Sequence, residues 1–208
     1  MRRLLLTMGI TATVAAILLL RFHRPPPERD IAVVQPQTAK TTVLSVGKLV
    51  DRTHVQLFLR ESLADTVKKG QAVVVSGAGL RKSGYAGTVT AVADEATVQN
   101  GKTGLLAEVT LEETALDESL KPGLTATARI TVKTFANVIV ANDSWFLPDE
   151  SIPTVLVLEN GKATFRQLTI LQRTDNGVLV EGLLANEKVI VKPEGIRNHQ
   201  KVKEKPTI

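Results

Sequence analysis

Leu120-Lys121-Pro122-Gly123-Leu124-Thr125-Ala126-Thr127-Ala128-Arg129-Ile130-Thr131-Val132 decides the fold of this chain. Pro122-Gly123 fits the centre of a type II turn. Proline sets φ near about −65° at the first central position, and glycine accepts a positive φ at the second. Strict alternation follows: Ala126, Ala128, Ile130 and Val132 point one way, and Thr127, Arg129, Thr131 and Lys133 the other. That is a strand buried on one face. It closes one β-rich segment, roughly 50–134, and feeds a second, roughly 135–203.

The chain has 208 residues, 43% of them apolar but only 3% aromatic. Val, Leu, Ile and Ala must therefore build the cores, which favours small β modules over a large enzyme core. The formal charge of +5 is unevenly placed. Arg2, Arg3, Arg21 and Arg24 lie in the first 24 residues, where no acid occurs, leaving 22 basic and 21 acidic residues in the remainder. A nearly neutral body argues against nucleic acid as a partner, since phosphate backbones need a concentrated basic face. Cysteine is absent, which excludes disulfides, thiolate metal sites and a cysteine nucleophile.

Leu4 to Leu20 is an apolar run of 17 residues interrupted only by Thr and Gly. As a helix it is about 26 Å long, close to the hydrocarbon thickness of a bilayer. Leu18-Leu19-Leu20-Arg21-Phe22-His23 offers no small-x-small cleavage site, so the run reads as an uncleaved signal anchor. Residues 1–24 are expected to form a single-pass anchor in the inner membrane, with the body in the periplasm. Residues 25–30, which include Pro25-Pro26-Pro27, form a stiff spacer.

Residues 31–47 read as two early strands, Ile31 to Val34 and Thr41 to Val46, packing on the second module. In the first module, 48–134, Val55, Leu57 and Leu59 share one face, opposite His54, Gln56, Phe58 and Arg60. Glu61 to Lys69 is a short helix-compatible stretch with Gly70 at its C-cap. Strands follow at 71–75, 87–92, 105–111 and after Pro122-Gly123. Five or six short strands with one small helix point to a closed antiparallel barrel. The second module, 135–203, carries hairpin signals at Asn160-Gly161 and Asn176-Gly177. Arg197 to Lys205 reads as a loose basic tail, with 204–208 at its end. Its Lys201, Lys203 and Lys205 are suited to anionic headgroups near the anchor.

Nothing in the sequence carries catalysis. His23, His54 and His199 have no second ligand at metal spacing. Ser76-Gly77-Ala78-Gly79-Leu80-Arg81-Lys82 half-matches a dinucleotide loop, but the third glycine is replaced by Lys82 and no helix follows. Asp94-Glu95 and Glu112-Glu113 are adjacent pairs whose members point to opposite faces of a strand, so neither is an acid/base dyad; both read as solvated loop ends. Trp145 and Phe146 have two readings: a docking patch on a partner, or a plug for the second module's core. No catalytic residue, cofactor or metal is expected, and the chain is not read as an enzyme.

The order of segments resembles the haemolysin-D-type periplasmic adaptors, the membrane fusion proteins of bacterial efflux and secretion systems. The matching pieces are Val55-Gln-Leu-Phe-Leu-Arg-Glu, Val67-Lys-Lys-Gly-Gln-Ala-Val-Val-Val, Gly87-Thr-Val-Thr-Ala-Val and Leu120-Lys-Pro-Gly-Leu-Thr-Ala. Pro153-Thr-Val-Leu-Val, Val180-Glu-Gly-Leu and Asn186-Glu-Lys-Val-Ile-Val extend the match to roughly 50–192. The resemblance implies a β-barrel domain followed by a membrane-proximal β domain, and an inner-membrane transporter as partner. It also implies a homo-oligomer, since family members often form rings. The chain is a short form: Pro36 to Lys48 leaves no space for the lipoyl-like domain and α-helical hairpin that members usually carry before the barrel. No direct contact with an outer-membrane channel is therefore expected. The competing expectation is a stand-alone envelope scaffold, or a shortened adaptor without a transporter.

Overall fold

The computed structural model describes residues 25–205. Its strands are β1 (Glu28–Arg29), β2 (Ile31–Val33), β3 (Gln37–Leu49), β4 (His54–Arg60), β5 (Ala72–Ser76), β6 (Tyr85–Gln99), β7 (Lys102–Leu111) and β8 (Thr125–Val138). They continue as β9 (Val140–Ala141), β10 (Thr154–Glu159), β11 (Lys162–Gln167), β12 (Thr169–Thr174), β13 (Gly177–Glu181), β14 (Lys188–Ile190) and β15 (Lys203–Glu204). The expected anchor at 1–24 lies outside the described residues. Among those that are described, no helix is long and apolar enough to cross a membrane.

Two compact units divide the chain. One spans 36–141 and 170–180 and is built on a closed barrel in the order β3-β4-β7-β6-β5-β8, with β8 returning to β3. Every pairing in it is antiparallel. Closure matters because it leaves no unpaired strand edge to recruit another chain. The alternation after Pro122-Gly123 supplies the barrel interior: Ala126, Ala128 and Ile130 are all fully buried. They meet Leu57 and Leu59 of β4, Val73 and Val75 of β5, and Ala107 and Val109 of β7.

The strands are longer than the expected short ones: 13 residues in β3, 15 in β6 and 14 in β8. Length is compatible with closure because the strands bend. Register shifts fall between Thr41 and Thr42 of β3, and between Val89 and Ala91 and between Val92 and Ala96 of β6. Each bulge adds local twist and turns the strand round the barrel. The expected helix at 61–69 is a single 3₁₀ turn, Glu61–Leu63, with Leu63 and Val67 packed on the core; nine residues are short for an α-helix to repay its nucleation.

The grouping expected for 31–47 is corrected by the strand pairing. Ile31–Val33 pairs with β14, but Gln37–Leu49 is a barrel strand flanked by β4 and β8. The physical reason is the alternation that continues on both sides of the expected strand: Ala39, Ser45 and Leu49 are buried in a single long strand. Residues 170–180 likewise group with the barrel unit, where Asp175 N–H donates to the Lys40 carbonyl at 2.9 Å.

The other unit spans 25–35, 142–169 and 181–205 of the described residues. Its sheet runs β11-β10-β14-β2, and β1 pairs in parallel with β15. Leu156, Ala163, Ile190, Ile196 and Val202 form its core. Residues 197–205 are therefore not a loose tail. Ile196 and Val202 are 6% and 4% exposed, and Lys203 N–H donates to the Pro27 carbonyl at 3.0 Å. A single apolar residue, Val202, in a basic stretch has no periodicity to betray it.

Candidate functional site

The three turns singled out in the sequence sit where strands reverse or begin. Leu124 N–H donates to the Lys121 carbonyl at 3.3 Å across Pro122-Gly123, and Gly123 has φ +86°. Asn160 and Gly161 both have positive φ, at 50° and 74°, between β10 and β11. At the Asn176-Gly177 turn the positive φ falls on Gly177 alone. A further hairpin, between β6 and β7, turns on Asn100-Gly101 with φ 51° and 72°. The Asn-Gly pair itself marks that turn, although the sequence reading passes over it.

The residues considered for chemistry stay apart. His54 faces Asp51 at the β3–β4 turn, with Nδ1 2.8 Å from Oδ2. Asp51 Oδ1 also accepts from Thr53 N and His54 N, each at 2.7 Å. The Thr53 amide, then the His54 ring, then the Thr53 hydroxyl hold the Asp51 carboxyl well below the usual carboxylate range. This is a capped turn. His199 is exposed near the other end of the chain, its N–H bonded to the Ala163 carbonyl. Among the described residues, no three potential metal ligands cluster. Glu112 and Glu113 are exposed where β7 ends. Asp94 and Glu95 are also exposed, but they lie in the irregular stretch of β6 between Val92 and Ala96 rather than at a loop end.

In the Ser76–Lys82 loop the amides of Leu80, Arg81 and Lys82 are committed. Leu80 N–H donates to the Gly77 carbonyl, Arg81 N–H to Ser119 Oγ at 3.0 Å and Lys82 N–H to Tyr85 Oη at 3.2 Å. No nest of free donors remains at these positions to cradle a phosphate. Leu80 instead packs on the barrel core. Beneath the loop lies a clasp that the sequence reading does not single out. Tyr85, fully buried, donates its hydroxyl to Asp117 Oδ2 at 2.7 Å. Ser119 donates both its amide and its hydroxyl to Asp117 Oδ1. The Ser119 and then the Tyr85 hydrogen bonds lower the Asp117 pKa to about 2. Asp117-x-Ser119 before a Pro-Gly turn is the visible signal, because Asp closes turns through its neighbours' amides.

Trp145 and Phe146 are both half-buried. Asn142 Oδ1 accepts from Ser144 N to start the 3₁₀ turn Asp143–Trp145, and Phe146 bridges to Val155. The two rings stand at the margin of the sheet unit, neither sealed in nor fully presented.

An ordered row of partly exposed apolar side chains lies on the outside of the barrel. Val46, Phe58 and Leu106 are register partners across β3, β4 and β7. Beside this row, Leu44 pairs with Arg129, which pairs in turn with Val74. Leu44 is 59% exposed and Val46 55%. A groove of about 750 Å³ is lined by Val46, Phe58 and Leu106 together with Lys48, Asn100 and Lys102. Phe58 on the otherwise polar face of β4 is the one part of this surface visible in the sequence alternation. The pairing across three strands is not visible there.

Comparison with known proteins gives a fold. No protein-family model matches the sequence, and no curated protein does. The crystal structure of MacA from Actinobacillus actinomycetemcomitans aligns over 67% of this chain and 42% of that one, at 20% identity and a TM-score of 0.51. ZneB from Cupriavidus metallidurans aligns over 70% of this chain and 41% of that one, at 20% identity and a TM-score of 0.32. A MacA–MexA chimeric protein containing the Pseudomonas aeruginosa MexA α-hairpin domain aligns over 68% and 46%, at 22% identity and a TM-score of 0.46. Of these three, the MacA likeness alone is close enough to carry an argument, and what it carries is a shared fold. The chain spans less than half the length of the solved chains it resembles.

Proposed function

We propose that this chain is a membrane-anchored periplasmic adaptor subunit of an efflux or secretion transporter, with no chemistry of its own. The observation that carries the reading is the closed six-stranded barrel joined in one chain to a small β unit, a fold shared with MacA. The ordered segments that resemble haemolysin-D-type adaptors support it from the sequence side. In this reading residues 1–24 hold the chain in the inner membrane as a single pass. The body stands in the periplasm and docks on the transporter, and the anchor raises its effective concentration there. The chain assembles as a homo-oligomer around that partner, takes no cofactor and binds no nucleic acid.

A second reading, a shortened adaptor without a transporter partner, has its own observation. Only 34–36 separate β2 from β3, so within this stretch the chain passes straight from the sheet unit into the barrel. The same short connection suits a stand-alone envelope scaffold. Deletion of the gene separates these readings. A transporter adaptor predicts increased drug sensitivity or lost secretion, whereas a scaffold predicts wild-type transport with an envelope defect.

A further inference from the structure

The adaptor reading leaves open which surface meets the partner. We propose that the outer face of β3, β4 and β7 is a docking groove for a partner segment in which carboxylates flank apolar side chains. The inference rests on that reading and names one surface for it.

Barrel strands normally turn apolar residues inward and polar ones outward. β8 obeys: Thr125 and Arg129 are exposed while Ala126, Ala128 and Ile130 are buried. β3 departs from this pattern. Ser45 is buried and bonds the Phe58 carbonyl through its hydroxyl at 2.8 Å, while Leu44 and Val46 on either side are more than half exposed. The polar residue is inside and its apolar neighbours are outside. Closure of the barrel does not require those side chains, so their exposure has another use. Contiguous exposed apolar surface of this kind, with a charged rim, is the usual composition of a protein-binding patch.

The rim is basic. Lys48, Arg60, Lys102 and Arg129 surround the row, and no ion pair engages any of them among the described residues. The nearby acids are Glu108, opposite Gln56, and Glu61, next to Arg60. The face thus carries surplus positive charge, which calls for carboxylates on the occupant. A two-fold contact with a second copy would set the same cations against each other. The groove shared by Phe58, Leu106 and the β6–β7 hairpin residues Asn100 and Lys102 suits a peptide segment better than a flat lipid surface.

The test replaces Leu44 with p-benzoylphenylalanine in the full chain and irradiates cells producing it, with the same probe at exposed Thr88 of β6 as the control. The expected product is an adduct to a different protein, at least fivefold above the Thr88 control. It should fall at least fivefold in the double variant Arg60→Glu/Lys102→Glu. It should recover when the carboxylates of the crosslinked partner peptide are changed to lysine. Irradiating isolated membranes at low and high salt repeats the charge test without any variant; yield should fall as salt rises. Adducts only to a second copy or to lipid would overturn the proposal, as would a yield equal to the control or indifferent to charge and salt. If the charge-reversed chain still co-purifies with a transporter, the adaptor reading stands and this face is wrong. If the groove captures a carboxylate-bearing protein but no transporter co-purifies, the face is right and the adaptor reading is wrong.

Discussion

The two faces of β3 and β4 obey different rules. Inward, Leu49, Val55, Leu57 and Leu59 are almost completely shielded and pack on residues from the other barrel strands. Outward, Leu44 and Val46 are apolar and exposed, and Phe58 is half-buried beside them. Hydrophobicity on the inside is explained by closure of the barrel. The same chemistry on the outside has no folding partner. Inner substitutions should therefore cost stability, and outer ones should cost association.

The largest effect belongs to the inner face. Leu57→Ala removes a fully buried side chain from the barrel core and should cost about 2–5 kcal/mol, read by denaturant unfolding. Gly47→Ala tests how tightly that wall is drawn, because an added Cβ would lie 1.9 Å from the Gln56 carbonyl oxygen. Backbone cannot yield cheaply, so about 1–3 kcal/mol or more should be lost. Gly123→Ala isolates conformation from contact. Its Cβ would meet nothing within 4 Å, but φ is +86°, and the strain should cost about 1 kcal/mol.

The clasp at the barrel end adds a smaller, pH-dependent contribution. The folded state lowers the Asp117 pKa to about 2, from 3.8. Folding then favours the carboxylate, so this contribution is complete above about pH 4 and disappears as pH falls towards 2. Asp117→Asn should flatten that part of the stability curve measured by acid titration of the melting temperature. The smallest effect on stability belongs to the outer face. Val46→Thr should stay within about 0.5 kcal/mol of the wild type. A large loss there would break the distinction between the two faces.

Much of the barrel was legible because its signals are local. Alternation at 126–132 and at 55–59 gives the inner face, and Pro122-Gly123 gives the turn. What was not legible depends on pairing. Thr41 to Val46 reads as a separate early strand because nothing local shows that it continues to Leu49 and pairs with β4 and β8. Val202 falls in the stretch read as a tail because burial of a single side chain leaves no period. Tyr85 meets Asp117 and Ser119 from more than 30 residues away, as register and loop closure dictate. Trp145 and Phe146 stand out as rare aromatics, but rarity does not say which side of a sheet they occupy. The outer row of Val46, Phe58 and Leu106 needed three strands in register before its members could be seen as neighbours.

The adaptor account is tested most directly by purifying the affinity-tagged full chain from detergent-solubilised membranes and quantifying what remains bound after size exclusion. It predicts an inner-membrane permease at a fixed ratio to the chain, in a complex larger than the chain alone. A chain that leaves the membrane fraction with no permease, across detergents that keep known transporter complexes intact, would contradict it.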